Sequence, residues 1–304
     1  MEQNKKIINL NMLLMVFCTI LYAIHTCLLR YFKKAYENPI PSDLIVCYQY
    51  VISVIILLPL IISRFSNSKP IKINQKLIPQ FLLRCLMIFS GTISWYYALS
   101  CVPAVNCIAI SCLTPIFIIL FAKMSLGEQL PKEIVGFAVI AMVGAFIIIS
   151  PDPSGFNSGA IFALFAAFLW AINSVFTKKN LSPHLSSITI FFVTAIVLSI
   201  MAIPHILMTE HSVSFEQLFF LTIITIVFDM ANILLIWVFS RGKVSLVAPF
   251  DFLRVVFTTV FAATFLGESV SDRAFLGIIV ILSANSLSTL YTNKTRKVQQ
   301  TQSA

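Results

Sequence analysis

Five ionisable side chains in this sequence lie within long apolar stretches, where a charge is costly. They are His25, Arg84, Asp229, Asp251 and Arg254. A central Arg or Asp in a membrane helix costs roughly 3 kcal/mol on insertion scales, so each is expected to face a partner or a water-filled cavity. Such groups can hold a counter-charge, bind a charged ligand or carry a proton.

The depth of these residues in their apolar stretches predicts how they pair. Asp229 and Arg254 both lie near the middle, whereas Arg84 and Asp251 lie about six residues from an end. Matched depth favours the pairs Asp229–Arg254 and Arg84–Asp251, and the three-residue spacing also allows Asp251 to pair with Arg254. We expect Arg84 and Asp251 to form a structural ion pair. Asp229 and Arg254 are either a structural pair or exchange partners with a charged substrate or a proton.

Polar and aromatic residues on the same helix faces extend this set into a candidate binding site. The predicted substrate-binding residues are Tyr22, His25, Gln49, Trp170, Asn173, Asp229, Asn232 and Arg254. Residues three or four apart share a helix face, so the matched faces around Tyr22 and Trp170 suggest a common cavity. Packing of the two rings, and hydrogen bonds between helices for Gln49 and His25, remain the alternatives.

The sequence gives no sign of enzyme chemistry. It holds no motif that resembles an ATP-binding loop, a nucleophile beside a base or a set of metal ligands. The seven cysteines have no CxxC spacing and are expected to be small buried apolar residues. We therefore predict no metal, no cofactor and no catalytic residues.

The composition identifies the element that must position these residues. Of the 304 residues, 59% are hydrophobic and 11% are charged, which is too apolar for a soluble domain. Long continuous apolar runs predict an all-α membrane protein, because a helix satisfies its own backbone hydrogen bonds in lipid. The ten predicted segments are 10–30, 43–62, 77–99, 103–122, 133–150, 158–177, 187–207, 216–239, 245–266 and 274–291.

The basic residues between these segments predict the orientation. If the N-terminus is cytoplasmic, fifteen Lys and Arg residues fall on the inner side, against four on the outer side, which are Arg30, Lys33, Lys34 and Arg273. Under the positive-inside rule, both termini are expected in the cytoplasm. The formal charge of +9 then reflects topology and contact with anionic lipid, so no nucleic-acid partner is predicted.

The chain also contains an internal repeat. Leu21 to Thr26 (LYAIHT) matches Leu169 to Ser174 (LWAINS), and the LGE triplet that begins at Leu126 recurs at Leu266. We therefore predict two five-helix repeats, residues 1–150 and 151–304. Because five is odd, the second repeat enters the membrane from the opposite side, which is typical of secondary transporters.

With these features, the sequence resembles the ten-helix EamA-type branch of the drug/metabolite transporter superfamily. The resemblance rests on the five-plus-five helices, the paired LGE triplets, LTPIF at 113–117 and PFDFLR at 249–254. One departure is that Val255 stands where the first repeat has Pro115, so the sequence does not predict a symmetric bend in the fourth and ninth segments.

The resemblance implies a secondary transporter that moves a small polar organic metabolite across the bacterial inner membrane by alternating access. Amino-acid-like, nucleotide-like and cofactor-like substrates stay open, S-adenosylmethionine among them. The alternatives are a multidrug or metabolite exporter, a membrane receptor and an intramembrane enzyme. The expected partners are the substrate and the lipid bilayer, and a proton, a counter-substrate and a homodimer also stay open.

Overall fold

A computed structural model describes residues 2–36, 40–67, 75–101, 104–128, 131–149, 159–209, 212–267, 270 and 272–302. The first repeat comprises α1 (Glu2–Ala35), α2 (Ser42–Asn67), α3 (Ile78–Cys101), α4 (Ala104–Ser111), α5 (Thr114–Leu126) and α6 (Lys132–Ile149). The second comprises α7 (Gly159–Phe176), α8 (Ser187–Met208), α9 (Phe215–Arg241), α10 (Val244–Val247), α11 (Leu253–Leu266) and α12 (Asp272–Gln302).

The predicted all-α fold is confirmed, and helix is found in every one of the ten predicted segments. Within the described residues, nine helical spans are long and apolar enough to cross a membrane, and α5 is a shorter apolar helix. The fourth segment is divided into α4 and α5, whereas the ninth contains α10, a 3₁₀ turn (Ala248–Phe252) and α11. The structure therefore has the helix content of a polytopic membrane protein.

The contacts between the repeats come in matched sets. Helix α1 packs on α9 and α11, and its counterpart α7 packs on α3 and α5. Helix α2 packs on its own counterpart α8, and α6 packs on α12. Exchanging the two repeats maps this contact pattern onto itself, as expected for repeats related by a two-fold axis.

Both the fourth and the ninth segments are interrupted, although only one has the proline that the sequence pattern singled out. In the first repeat, α4 ends at Ser111 and α5 begins at Thr114, with Pro115 in its first turn. In the second, the 3₁₀ turn contains Pro249, six residues before Val255. Proline removes a backbone donor and suits the first turn of a helix, so each repeat breaks at its own proline.

The helices after the two breaks end in the same way. Gly127 follows α5 with φ 63°, and Gly267 follows α11 with φ 66°. Only glycine adopts this left-handed conformation without strain, which explains the glycine of both LGE triplets. The triplet thus ends the helix and turns the chain toward the next one.

Glycine also determines how closely α6 and α12 approach. A Cβ added to Gly277 would lie 2.6 Å from the Gly144 carbonyl oxygen and 2.5 Å from Ile148 Cγ1. Small residues allow close contact between membrane helices, where van der Waals packing replaces the hydrophobic effect. This contact joins the last helices of the two repeats.

Candidate functional site

Arg84 lies on α3 and is buried, with 5% of its surface exposed. Its Nε donates to Thr194 Oγ1 of α8 at 3.1 Å, and its Nη1 donates to Asn173 Oδ1 of α7 at 2.9 Å. Nη1 also donates to Thr177 Oγ1. All three partners are neutral oxygens, so the positive charge of Arg84 is hydrogen-bonded but not neutralised.

Local structure explains how α7 reaches Arg84. A π-helical turn, Thr177–Leu181, continues α7 and contributes the Thr177 hydroxyl. Such turns rotate the side chains that follow and are frequent at functional sites. Earlier in α7, Trp170 packs closely against α3 because Gly91 has no side chain. A Cβ on Gly91 would lie 2.9 Å from Trp170 Nε1. Trp170 packs against Trp95 at 5.5 Å between ring centroids, which corresponds to the packing alternative for this residue.

A small cavity of about 60 Å³ lies beside the Arg84 guanidinium. Its polar lining comes from Arg84, Asn173, Ser174, Thr177, Lys178, Ser182 and Asn232, and Leu235, Ile236 and Phe239 line the rest. The Ser182 hydroxyl oxygen is buried and has no hydrogen-bond partner. We refer to this space as the Arg84 cavity.

Asp229 lies on α9 and is 3% exposed. Its Oδ1 accepts a hydrogen bond from Ser53 Oγ of α2 at 2.6 Å, and its Oδ2 is buried with no hydrogen-bond partner. Asn232, which lines the Arg84 cavity, follows three residues later on the same helix face. A buried carboxyl with one neutral donor is a costly group, which makes Asp229 a candidate functional residue.

His25 and Gln49 form a neighbouring contact between α1 and α2. Gln49 Nε2 lies 3.1 Å from His25 Nε2, and the imidazole packs on the Phe228 ring at 5.1 Å between centroids. The backbone carbonyl oxygen of Gln49 lies 2.8 Å from the same Ser53 Oγ and is the alternative acceptor for its proton. His25 and Gln49 are therefore connected to Asp229 through Ser53.

Arg254 has a different partner from the one that its depth predicts. Its Nη2 lies 3.0 Å from Asp251 Oδ2, three residues earlier, and its guanidinium stacks on the Tyr22 ring at 5.4 Å from the centroid. Neither the Asp229–Arg254 pair nor the Arg84–Asp251 pair is formed in this conformation. The 3₁₀ turn positions Asp251 directly before α11, so the short-range contact forms instead of the contact between helices.

The predicted binding residues are thus divided among separate environments. Asn173 and Asn232 line the Arg84 cavity, His25 and Gln49 lie with Asp229, and Tyr22 lies with Arg254. Of the residues on the matched faces of the first and sixth segments, Asn173 lines the Arg84 cavity, whereas Tyr22 and Trp170 do not. Within the described residues, no group of three His, Cys, Asp or Glu side chains is arranged to hold a metal ion.

Glu128 of the first LGE triplet joins the two repeats, a role that sequence reasoning missed. Its carboxylate pairs with Lys178 at 2.7 Å and accepts from the backbone N–H groups of Val244 at 3.2 Å and Ser245 at 3.0 Å. The Ser245 hydroxyl donates to Glu128, and Lys178 donates to the Gly242 carbonyl. We refer to these five residues as the inter-repeat clamp.

The inter-repeat clamp keeps Glu128 ionised. Burial alone would raise the pKa of its carboxyl group, but the hydrogen bonds from Lys178 and Ser245 outweigh burial and lower that pKa. The carboxylate also caps the first N–H groups of α10, where a negative charge is favoured.

Sequence reasoning also missed three residues that each contribute a hydroxyl group to the site. Ser53, Thr194 and Ser182 stand alone in apolar or turn sequence, and such residues most often bond to their own helix. Thr194 Oγ1 does donate to the Ile190 carbonyl at 2.7 Å while it accepts from Arg84. Their spacing contains no signal for these contacts, because the partners are far away in the sequence.

Matched helix contacts between two repeats, two interrupted helices and buried charges between them define a membrane transporter. The EamA-like transporter family model matches residues 9–150 and 157–290. The chain belongs to this family. A solved crystal structure shares the fold with a TM-score of 0.76 and 16% identity, over 95% of this chain and 98% of the other.

Two relatives of known role have clear sequence similarity. The S-adenosylmethionine uptake transporter of Rickettsia bellii is 26% identical over 81% of this chain and 83% of its own length. The riboflavin transporter of Brucella anthropi is 31% identical over 46% of this chain and 48% of its own length. The family and these relatives make this protein a transporter of small metabolites.

Proposed function

We propose that this protein is a secondary transporter of an amino-acid-derived metabolite, with S-adenosylmethionine as the first candidate, across a bacterial inner membrane. The similarity to S-adenosylmethionine uptake transporters over most of the chain supports this substrate class. No catalytic step is part of the proposal. The excess of basic residues on one side supports cytoplasmic termini.

The observation that carries the proposal is the buried carboxyl group of Asp229. It has no positively charged partner within 4 Å among the residues that the structure describes, and its Oδ2 makes no hydrogen bond. S-adenosylmethionine carries a sulfonium and an ammonium group, and a carboxylate is the side chain that best compensates either. Asp229 therefore binds the positively charged part of the substrate or, in the empty carrier, a proton.

The Ser53 hydroxyl suits such a change of state. Its oxygen lies 2.6 Å from Asp229 Oδ1 and 2.8 Å from the Gln49 carbonyl oxygen, and it has a single proton to donate. With Asp229 ionised, Ser53 donates to the carboxylate. With Asp229 protonated, Ser53 donates to the Gln49 backbone carbonyl and accepts from the carboxyl group, so the hydrogen bond between Ser53 and Asp229 is kept in both states.

Labelled uptake tests this function. Purified protein in proteoliposomes is expected to take up labelled S-adenosylmethionine, and excess unlabelled riboflavin, methionine and nucleotides show which compounds compete. Asp229→Asn should abolish uptake although the protein still inserts and purifies normally. No uptake or exchange of S-adenosylmethionine in either direction would overturn the substrate assignment.

Coupling and topology have separate tests. A protonophore should change the uptake rate while ATP depletion under a clamped gradient should not. Reporter fusions at Ala304 and between residues 152 and 156 should report the cytoplasm and the exterior. Two reporters on the same side would contradict the inverted arrangement.

A further inference from the structure

We propose that the Arg84 cavity is a binding subsite for the carboxylate group of the substrate. The inference rests on the transport function proposed above and assigns a different role to a residue expected to be a structural ion-pair partner. The subsite requires that the substrate carry a free, singly charged carboxylate.

The first argument is charge. Within the described residues, no carboxylate lies within 4 Å of the Arg84 guanidinium, and its partners Thr194, Asn173 and Thr177 are neutral. The other cation on the cavity wall, Lys178, is already paired with Glu128 at 2.7 Å. One uncompensated positive charge remains, and a buried charge of that kind favours a monovalent anion.

The second argument is hydrogen bonding. A carboxylate accepts several hydrogen bonds and favours a planar guanidinium as donor. The cavity offers Arg84 together with the Ser182 hydroxyl, whose oxygen is buried without a partner. A carboxylate in the cavity would accept from both, which would give the buried Ser182 hydroxyl a hydrogen-bond partner.

The third argument is size and position. A cavity of about 60 Å³ has room for a carboxylate group but not for a whole cofactor. The rest of the substrate must then extend out of it. Asp229 lies three residues before Asn232 on α9, a rise of roughly 4.5 Å. Its carboxylate is therefore placed to bind a positively charged group of the same substrate. This arrangement fits the two opposite charges of an amino-acid group.

The binding step is tested on the purified full-length protein in detergent, with small probes. Sodium acetate is titrated against the bulky 2-(N-morpholino)ethanesulfonate anion at constant sodium concentration, and the thermal unfolding midpoint is recorded. Acetamide, a neutral molecule of nearly the same shape, is the matched probe. We expect the midpoint to rise with acetate and not with acetamide.

Variants assign this effect to Arg84. Arg84→Gln should remove the acetate-dependent rise, and Arg84→Lys should raise the half-saturating acetate concentration roughly tenfold, since lysine has no planar fork. Arg241→Gln is the control, because Arg241 stacks on Trp237 and does not line the cavity. If Arg84→Gln does not fold, Arg84→Lys and the comparison of acetate with acetamide still decide the question.

Several results would overturn the subsite. These are an equal rise in wild type and Arg84→Gln, an equal rise with acetamide, no rise with acetate, or a larger rise with inorganic phosphate at the same concentration. Uptake of S-adenosylmethionine is measured in parallel. Uptake without an acetate effect overturns the subsite alone, whereas an acetate effect without uptake overturns the substrate assignment alone.

Discussion

Two arginines within apolar segments of this protein have opposite surroundings. Arg254 is paired with Asp251 at 3.0 Å and stacks on Tyr22, and 37% of its side chain is accessible. Arg84 is 5% exposed and lies beside a cavity, and among the residues that the structure describes its hydrogen-bond partners are neutral oxygens. The more deeply buried arginine is the one without a counter-charge.

Arg254 already has a counter-charge, whereas Arg84 has none among the described residues and is available to bind an anion. A paired arginine needs a competing anion or a conformational change before it can bind substrate, whereas Arg84 needs only an anion of the right size. Position along the helix does not reveal this difference, because both residues lie in apolar sequence. Only the surroundings distinguish the two, and they favour Arg84 for the carboxylate subsite proposed above.

Of the two arginines, Arg84 has the larger expected effect on uptake. Arg84→Gln removes the uncompensated charge and should lower S-adenosylmethionine uptake roughly ten- to hundredfold, the range for a lost charged hydrogen bond. Arg241→Gln, measured at equal amounts of protein in the membrane, should transport at nearly the wild-type rate. Normal uptake by Arg84→Gln would show that Arg84 does not bind the substrate and has only a structural role.

The next effect concerns the pair formed by Arg254 and Asp251. Either Arg254→Gln or Asp251→Asn leaves one charge alone and should lower the free energy of unfolding by about 1–2 kcal/mol, less than for a fully buried pair because Arg254 is partly accessible. The double variant should lose less than the sum of the two. Thermal or denaturant unfolding in one detergent measures this, and strictly additive losses would show that the pair does not stabilise the fold.

A smaller effect is expected at the inter-repeat clamp, in which Glu128 pairs with Lys178 beside the Arg84 cavity. The lowered pKa of the Glu128 carboxyl means that its stabilising effect is present above its ordinary pKa of 4.5 and is lost as pH falls through the lowered value. Glu128→Gln should therefore be less stable than wild type at pH 7.

The pH profile of the unfolding midpoint tests the clamp directly. The difference between wild type and Glu128→Gln should shrink as the pH is lowered below 4.5. Glu133→Gln is the matched control, because Glu133 is exposed in the first turn of α6 and should give the wild-type profile. A constant difference across the pH range would show that ionisation of Glu128 does not contribute.

The smallest effect is expected at Tyr22. Tyr22→Phe keeps the ring beneath Arg254 and should leave uptake within about twofold of wild type, whereas Tyr22→Leu loses a cation–π contact worth about 0.5–1 kcal/mol. Initial uptake rates separate the two variants. If Tyr22→Phe is as impaired as Tyr22→Leu, the hydroxyl and not the ring is the important group.

The sequence by itself determined the fold class, the number of apolar segments and the family. Length and hydropathy suffice for these, because every backbone group in lipid must be satisfied within its own helix. The sequence also determined that Arg84, Asp229 and Arg254 are unusual, since a charge in an apolar run is costly wherever it points.

Only the tertiary structure decided which of these charges has a partner. Depth along a helix gives one coordinate, whereas a contact also needs the rotation of each helix and the location of each break. The 3₁₀ turn at Asp251 changes that rotation locally and brings a carboxylate to Arg254. Arg84 instead meets neutral oxygens from two other helices, α7 and α8. Glu128 reaches Ser245 for the same reason: the contact links residues far apart in the sequence, and only the packing of the two repeats brings them together.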